Sequence, residues 1–418
     1  MPHRKSLLVI SLLSVLTVVF LRCGGPRVPP DPRGKYYAGA ESCMGCHKDI
    51  GESYMHNTHY RTSGSITAGG LDSFFHLASL SYLYQDSGRV TAASRNGSYF
   101  QDLAYPEGGS GLPGQRQSVS APIEFAIGSG DKAQSYGYWK PAGQPKQLPL
   151  TWVSESRTWT NSPGFPTRKA FYDRVILSRC LECHASYVSK TDVPGGPEMV
   201  MEKMEPSSII YGIDCERCHG PSIDHVRYHT EYPAEKQPRY IRSMAALSRQ
   251  QKNDLCASCH SGNDQSMLRP IFGFRPGDTL ANYILPSFGG TGKEADVHGK
   301  QMQLLMSSKC YQQSQMTCQS CHGSHDNQGK SKELFVSKCM DCHKGSSHAQ
   351  ELKSDATACI NCHMPQQASK AIGFNDPMGN KSILYMLRTH RIAVYPSDSN
   401  TLQPGVPDAL HKEITRQK

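Results

Sequence analysis

Seven times along this 418-residue chain, two cysteines stand three positions apart with a histidine directly after the second. The copies are CMGCH (Cys43, Cys46, His47), CLECH (Cys180, Cys183, His184), CERCH (Cys215, Cys218, His219), CASCH (Cys256, Cys259, His260), CQSCH (Cys318, Cys321, His322), CMDCH (Cys339, Cys342, His343) and CINCH (Cys359, Cys362, His363). From the frequencies of the two residue types, chance would yield about 0.03 copies. Two thiols at this spacing reach the two vinyl groups on one edge of a porphyrin and form thioethers. The histidine that follows is then held under the iron as its proximal ligand. Structural zinc uses Cys-x-x-Cys knuckles in pairs with no histidine after every one, and disulfides need no histidine at all. The pattern predicts seven covalently attached haems of the c type.

The rest of the chain must position them. Six of the seven motifs lie between Cys180 and His363, about thirty residues for each, which is too little polypeptide to give every haem its own core. Only 37% of residues are apolar, and glycine (37) and proline (27) are frequent. The haems are therefore expected to share walls and to form much of the interior, close enough to pass electrons. The stretch from Lys48 to Arg179 is different in kind: aromatic and β-branched runs such as LSYLY and LPLTWVSESRTW alternate with Gly, Ser and Asn turns. It predicts a β-rich insertion over about 70–160, with Asn96-Gly97 as a hairpin signal. Around the motifs short helices are expected, for instance LSRQQKNDLCASCH behind Ser248 as N-cap, and SKELFVSKCMDCHK. The expected fold class is a mainly α and irregular multihaem cytochrome c fold with that insertion.

Residues 1–23 begin with a basic cluster and continue in an apolar run from Leu7 to Leu21, short of the roughly 20 residues needed to span a bilayer, so they read as a secretory signal. Cys23 follows, then a Pro/Gly-rich tether over 24–40, the multihaem domain over 41–395 and a polar tail over 396–418. A lipidated Cys23 would make the chain a membrane-associated lipoprotein; Arg22 is unusual before such a cysteine, and a cleaved signal or an uncleaved anchor are the alternatives. Loss of 1–23 would take the net charge from +9 to +6, and fourteen haem propionates would bring it to about −8 with ferrous and about −1 with ferric irons. The basic pI is thus no sign of nucleic-acid binding. Much of the Lys and Arg is expected to pair with propionates.

Eleven histidines remain beyond the motifs. His3 lies in the leader and His411 in the tail, which leaves His56, His59, His76, His225, His229, His298, His325, His348 and His390 for at most seven distal positions. The runs CMGCHKDIGESYMHNTHYRTS, LPLTWVSESRTWTNSPGF, CLECHASY, GIDCERCHGPSIDHV, LSRQQKNDLCASCH, SSKCYQQSQMTCQSCHGSH and CINCHMP follow one another as in the secreted multihaem cytochromes of the nitrifier tetrahaem cytochrome superfamily, which the chain resembles over residues 40 to about 395. The resemblance implies His59, His225 and His325 as distal ligands. By looser similarity it adds His298 and His390, then His348, with His76, His229 and His56 behind. It also covers Cys310, a cysteine with no disulfide partner left, read as a small buried residue packed beside a haem, or else as a thiol ligand or redox-active group.

Six-coordinate low-spin iron has no vacant site and suits electron transfer. The expectation is therefore a bis-histidine haem chain outside the cytoplasm, serving redox partner proteins of a respiratory or extracellular chain. The alternative is a reductase of a small nitrogen or sulfur compound with one five-coordinate haem. Cys-x-x-Cys-Lys, the mark of ammonia-forming nitrite reductases, does not occur. A docking role for the β-rich insertion is the third reading.

Overall fold

The computed structural model describes residues 30–67, 71, 80–105, 118–196, 199–262, 264–285, 295–326, 332–344 and 358–395. The leader, Cys23, His76, His348 and the polar tail lie outside them. Two antiparallel sheets dominate the segment between the first and second motifs. β1 (Ser63–Ser65) precedes the first sheet, in which β2 (Ser81–Tyr84), β3 (Gly88–Arg95), β4 (Ser98–Ala104) and β5 (Val119–Pro122) pair in sequence order. The second contains β6 (Phe125–Ile127), β7 (Ala133–Lys140), β8 (Gln144–Val153), β9 (Thr158–Asn161) and β10 (Arg174–Val175); its order is β1-β6-β7-β8-β10, with β9 also on β8.

Local chemistry explains the pairings. β3 and β4 meet at Arg95 opposite Ser98, and the two residues between, Asn96 (φ 51°) and Gly97 (φ 75°), take the left-handed conformations that a type I′ hairpin turn demands. β4 alternates buried and exposed positions, and its inward side chains join those of the second sheet in one cluster that includes Tyr82, Tyr84, Val90, Leu103, Tyr136, Leu148, Leu150, Trp152 and Trp159. Gln101 pins the sheets together: its amide donates to the Leu150 carbonyl at 3.0 Å and its oxygen accepts from the Leu150 N–H at 2.7 Å.

The expectation of a mainly α and irregular fold is overturned. Helix and strand each account for 28% of the described residues, so the fold is mixed α/β. One reason is that the helices are short. α1 (Ala40–Cys46), α2 (Lys48–Met55), α3 (Ser178–His184), α4 (Cys215–His219), α5 (Ile223–Glu231), α6 (Arg249–His260), α7 (Gln301–Met306), α8 (Lys309–Gln312), α9 (Lys332–Met340) and α10 (Ala358–His363) include none beyond the 12 residues of α6. The other is a set of strand pairs outside the large sheets. β11 (Ala185–Tyr187), β12 (Lys190–Gly196), β13 (Met199–Met204) and β14 (Ile210–Tyr211) form two small sheets, β12 with β13 and β11 with β14, and β15 (Gln366–Asn375) pairs with β16 (Ser382–Arg388). These ribbons lack clean alternation; β15 reads QQASKAIGFN with scattered burial. Their backbone pairing, not a hydrophobic stripe, marks them as strands.

The motif helices pack on one another: α1 on α4, α3 on α6, α6 on the 3-10 turn Cys318–Ser320, and α9 on α10. α6, which ends in the fourth motif, starts in a capping box, with Ser248 Oγ accepting from Gln251 N–H while the Gln251 side chain accepts from Ser248 N–H. A buried ionic knot ties the start of the domain to α4. Arg33 bridges Asp31, Asp214 and Glu216, and the fully buried Glu216 carboxylate also accepts from the N–H groups of Ala38, Gly39 and Ser222, at 2.9 Å each, and from Ser222 Oγ at 2.7 Å. Burial opposes the Arg33 charge, but Asp31 and Asp214 hold the guanidinium protonated beyond its usual range. Gly212 has φ +66°, and a Cβ there would lie 2.0 Å from the Tyr60 carbonyl oxygen. Only glycine lets the segment carrying His59 come this close to the third motif.

Candidate haem sites

Each motif histidine stands at or just beyond the end of its own helical turn, and the structure brings second histidines to face several of them. The ring centroids of His47 and His225 are 6.5 Å apart, those of His219 and His325 5.9 Å, those of His322 and His390 6.1 Å and those of His260 and His59 6.0 Å. Two imidazoles on opposite sides of one metal need about 2.0 Å from each nitrogen to the ion, which with the half-width of each ring sets the centroids at about 6.3 Å. All four pairs meet that spacing. Three have planes within 25° of parallel, and His59 with His260 is near perpendicular at 87°. Rotation about a shared metal axis allows both.

His184 and His298 are near enough for their charges to interact, as are His298 and His260. Desolvation lowers His184 to about 4, and His298 is the largest charged influence on it. Desolvation likewise brings His59 to about 4, helped by His260 and His322, and His390 to about 4, helped by His322 and His260. His219, His298 and His322 are lowered for the same leading reason. The protein holds these imidazoles neutral, the form whose ring nitrogen can donate to iron.

Outer partners orient the rings. His225, on α5, sets Nδ1 2.7 Å from the Arg239 carbonyl oxygen, so Nδ1 carries the proton and Nε2 is left as donor. His184 has Nδ1 3.0 Å from Thr62 Oγ1, and His363 has Nδ1 3.0 Å from the Ala393 carbonyl. The backbone of His298, not its ring, is held by its main-chain N–H donating to Asp296 at 2.7 Å, a carboxylate that also accepts from Ser369 Oγ within β15. His390 Nδ1 is buried without an acceptor in hydrogen-bonding geometry; the Arg388 carbonyl is the backbone group that acts on it. His229 lies 4.6 Å from His225, with its Nε2 buried and unbonded. His56 caps the end of α2 and faces no motif histidine among the described residues. His343 ends the turn after α9, and its sequence candidate His348 is outside the described residues.

The motif cysteines approach one another across motifs. Cys43 lies near Cys215, Cys183 near Cys259, Cys256 near Cys318 and Cys339 near Cys359, close enough for their thiols to influence one another. The backbone carbonyl of Glu182, inside the second motif, accepts from Arg217 of the third at 3.1 Å and lies 3.8 Å from Cys259 Sγ of the fourth. Cys310 stands on α8 near Cys342, and desolvation raises its thiol above the usual range, which keeps it protonated. Sequence reasoning missed the orienting groups. The carbonyls of Arg239 and Ala393 leave no trace in residue types; the Asn57-x-His59 spacing, which suits an Asx turn, is the one signal that would have marked Asn57.

The site and its seven motifs support a multihaem c-type cytochrome. A family model described as cytochrome c554 and c-prime matches residues 156–220, the span that holds the second and third motifs. No curated protein matches the chain. A solved structure titled "Crystal Structure of Outer Cell Wall Cytochrome OcwA" aligns over 81% of this chain and 79% of that one, at 17% identity and a TM-score of 0.49, a likeness too distant to carry ligands or partners across. No described helix is long and apolar enough to cross a membrane.

Proposed function

We propose that the chain is an electron-transfer cytochrome working outside the cytoplasm, with seven covalently bound haems and imidazole on both faces of most irons. The spacing of the histidine pairs carries this reading: four pairs of centroids at 5.9–6.5 Å match what a shared metal needs. The assignments are His47 with His225, His184 with His298, His219 with His325, His260 with His59, and His322 with His390; His343 and His363 are proximal ligands of the remaining two, and His348 stays a candidate distal ligand. The haems supply a one-electron iron couple. The protein's part is to orient His59, His184, His225 and His363 through their Nδ1 partners, to keep His59, His184, His219, His298, His322 and His390 neutral by desolvation, and to fill both axial positions of five of the seven irons.

Close approaches between thiols of different motifs (first with third, second with fourth, fourth with fifth, sixth with seventh) bring the porphyrin edges they would carry into proximity, which favours a connected array over isolated centres. Its partners in this reading are other redox proteins. Export by the segment 1–23 and tethering through a lipidated Cys23 belong to the same proposal. The test is His59→Ala. It should convert one haem to a high-spin form that binds carbon monoxide when reduced, with the haem content unchanged. An unaltered spectrum would remove His59 from the ligand set.

A further inference from the structure

Asn57 belongs to no haem motif and is not among the candidate ligands, yet its side chain is tied at both ends to segments that carry them. It is 4% exposed. Its Oδ1 accepts from the His59 N–H at 2.9 Å and lies 3.2 Å from His59 Nδ1. Its Nδ2 donates to the Asp326 carbonyl at 2.7 Å and lies 3.4 Å from that of Ser324. Those two residues flank His325. One buried amide therefore spans the segment bearing His59, which faces His260, and the loop bearing His325, which faces His219.

The chemistry of these contacts removes the usual ambiguity of an amide's orientation. On one side stands a backbone N–H, which needs an acceptor; on the other stand two carbonyls, which need a donor. Only one flip satisfies both. With Oδ1 facing His59, the imidazole nitrogen beside it must be the protonated one, because an amide oxygen only accepts. Nε2 of His59 is thereby left with its lone pair. The His59 carbonyl is fixed as well, accepting from Ile213 N–H at 3.0 Å and Thr62 N–H at 3.2 Å.

We infer that Asn57 is a positioning residue for two neighbouring haems at once: its carbonyl sets the tautomer and electron richness of His59, and its amide clamps the backbone on either side of His325. This rests on the ligand reading above. A stronger acceptor behind His59 makes the imidazole a better donor and favours ferric iron; a missing acceptor does the reverse.

Two nearly isosteric substitutions separate this from a merely structural role, because both lose the amide clamp on the His325 loop but act oppositely on His59. In the intact cytochrome, Asn57→Asp should lower, and Asn57→Leu raise, the midpoint potential of the haem whose EPR signal disappears in His59→Ala. Each shift should be roughly tenfold in ferric over ferrous preference, or about 59 mV. In both variants the signal of the haem bound by His219 and His325 should broaden. Shifts of the same sign, or none, would overturn the proposal. If Asn57→Leu yields no folded protein, Asn57→Asp decides alone: a lowered potential supports the assignment, and an unchanged or raised one refutes it. Should His59→Ala itself leave every haem low-spin, the ligand reading fails, and not the role of Asn57 alone.

Discussion

The knot around Glu216 offers a prediction that can be followed donor by donor. Replacing Glu216 with alanine removes the acceptor of three backbone N–H groups, a serine hydroxyl and one arm of Arg33. Arg33 keeps Asp31 and Asp214, so its charge is still compensated, and the loss falls mainly on the orphaned amides, at about 1–3 kcal/mol each. Water entering the vacated space recovers part of this, and a total of about 3–5 kcal/mol is the size expected for a broken buried ionic contact. Glu216→Gln is the finer probe. With its oxygen in the Oε1 position it still accepts from Ala38, Ser222 N–H and Ser222 Oγ, but it turns an NH2 towards Gly39 N–H and Arg33, whose acceptor was Oε2. Residue-resolved hydrogen exchange separates the cases. In Glu216→Ala the amides of Ala38, Gly39 and Ser222 should all exchange faster by at least about 30-fold, the equivalent of roughly 2 kcal/mol. In Glu216→Gln, Gly39 should accelerate alone. Rates within about threefold of the parent at all three amides, or equal acceleration of all three in the glutamine variant, would refute the account of this knot.

Two further outcomes follow from the site. His225→Ala should give one additional high-spin haem by EPR, whereas His229→Ala, although its ring lies 4.6 Å from that of His225, should leave the spectrum of the parent unchanged, because the Arg239 carbonyl orients His225 and not His229. Gly212→Ala forces a side chain into left-handed backbone, at about 1–2 kcal/mol, and against the Tyr60 carbonyl; guanidinium unfolding should show a loss above about 2 kcal/mol together with a disturbed signal from the His59 haem.

What could be read from residue types, and what could not, divides along physical lines. Attachment chemistry is local, so each of the seven motifs, with the proximal histidine it implies, is visible as a five-residue word. The hairpin at Asn96-Gly97 and the cap at Ser248 are local too, and both stand where their residue types imply. The balance of helix and strand was misjudged because β12–β13 and β15–β16 are held by backbone pairing between segments with little alternation, next to motif helices of only five to twelve residues. The facing of histidines is a tertiary matter. His47 meets a ring on α5 and His322 meets one beyond β16, and no spacing within either neighbourhood announces its partner. The same holds for the orienting groups, most of which are backbone carbonyls that every residue possesses.

The central claim is that this fold sets imidazole on both sides of most of the irons and so builds a conductor of electrons. Quantitative low-temperature EPR of the oxidised protein, integrated against its iron content, tests it most directly. The four facing histidine pairs, with the proposed pairing of His184 and His298, predict low-spin ferric signals from at least five haems per chain. High-spin ferric iron in three or more of the seven would contradict the account.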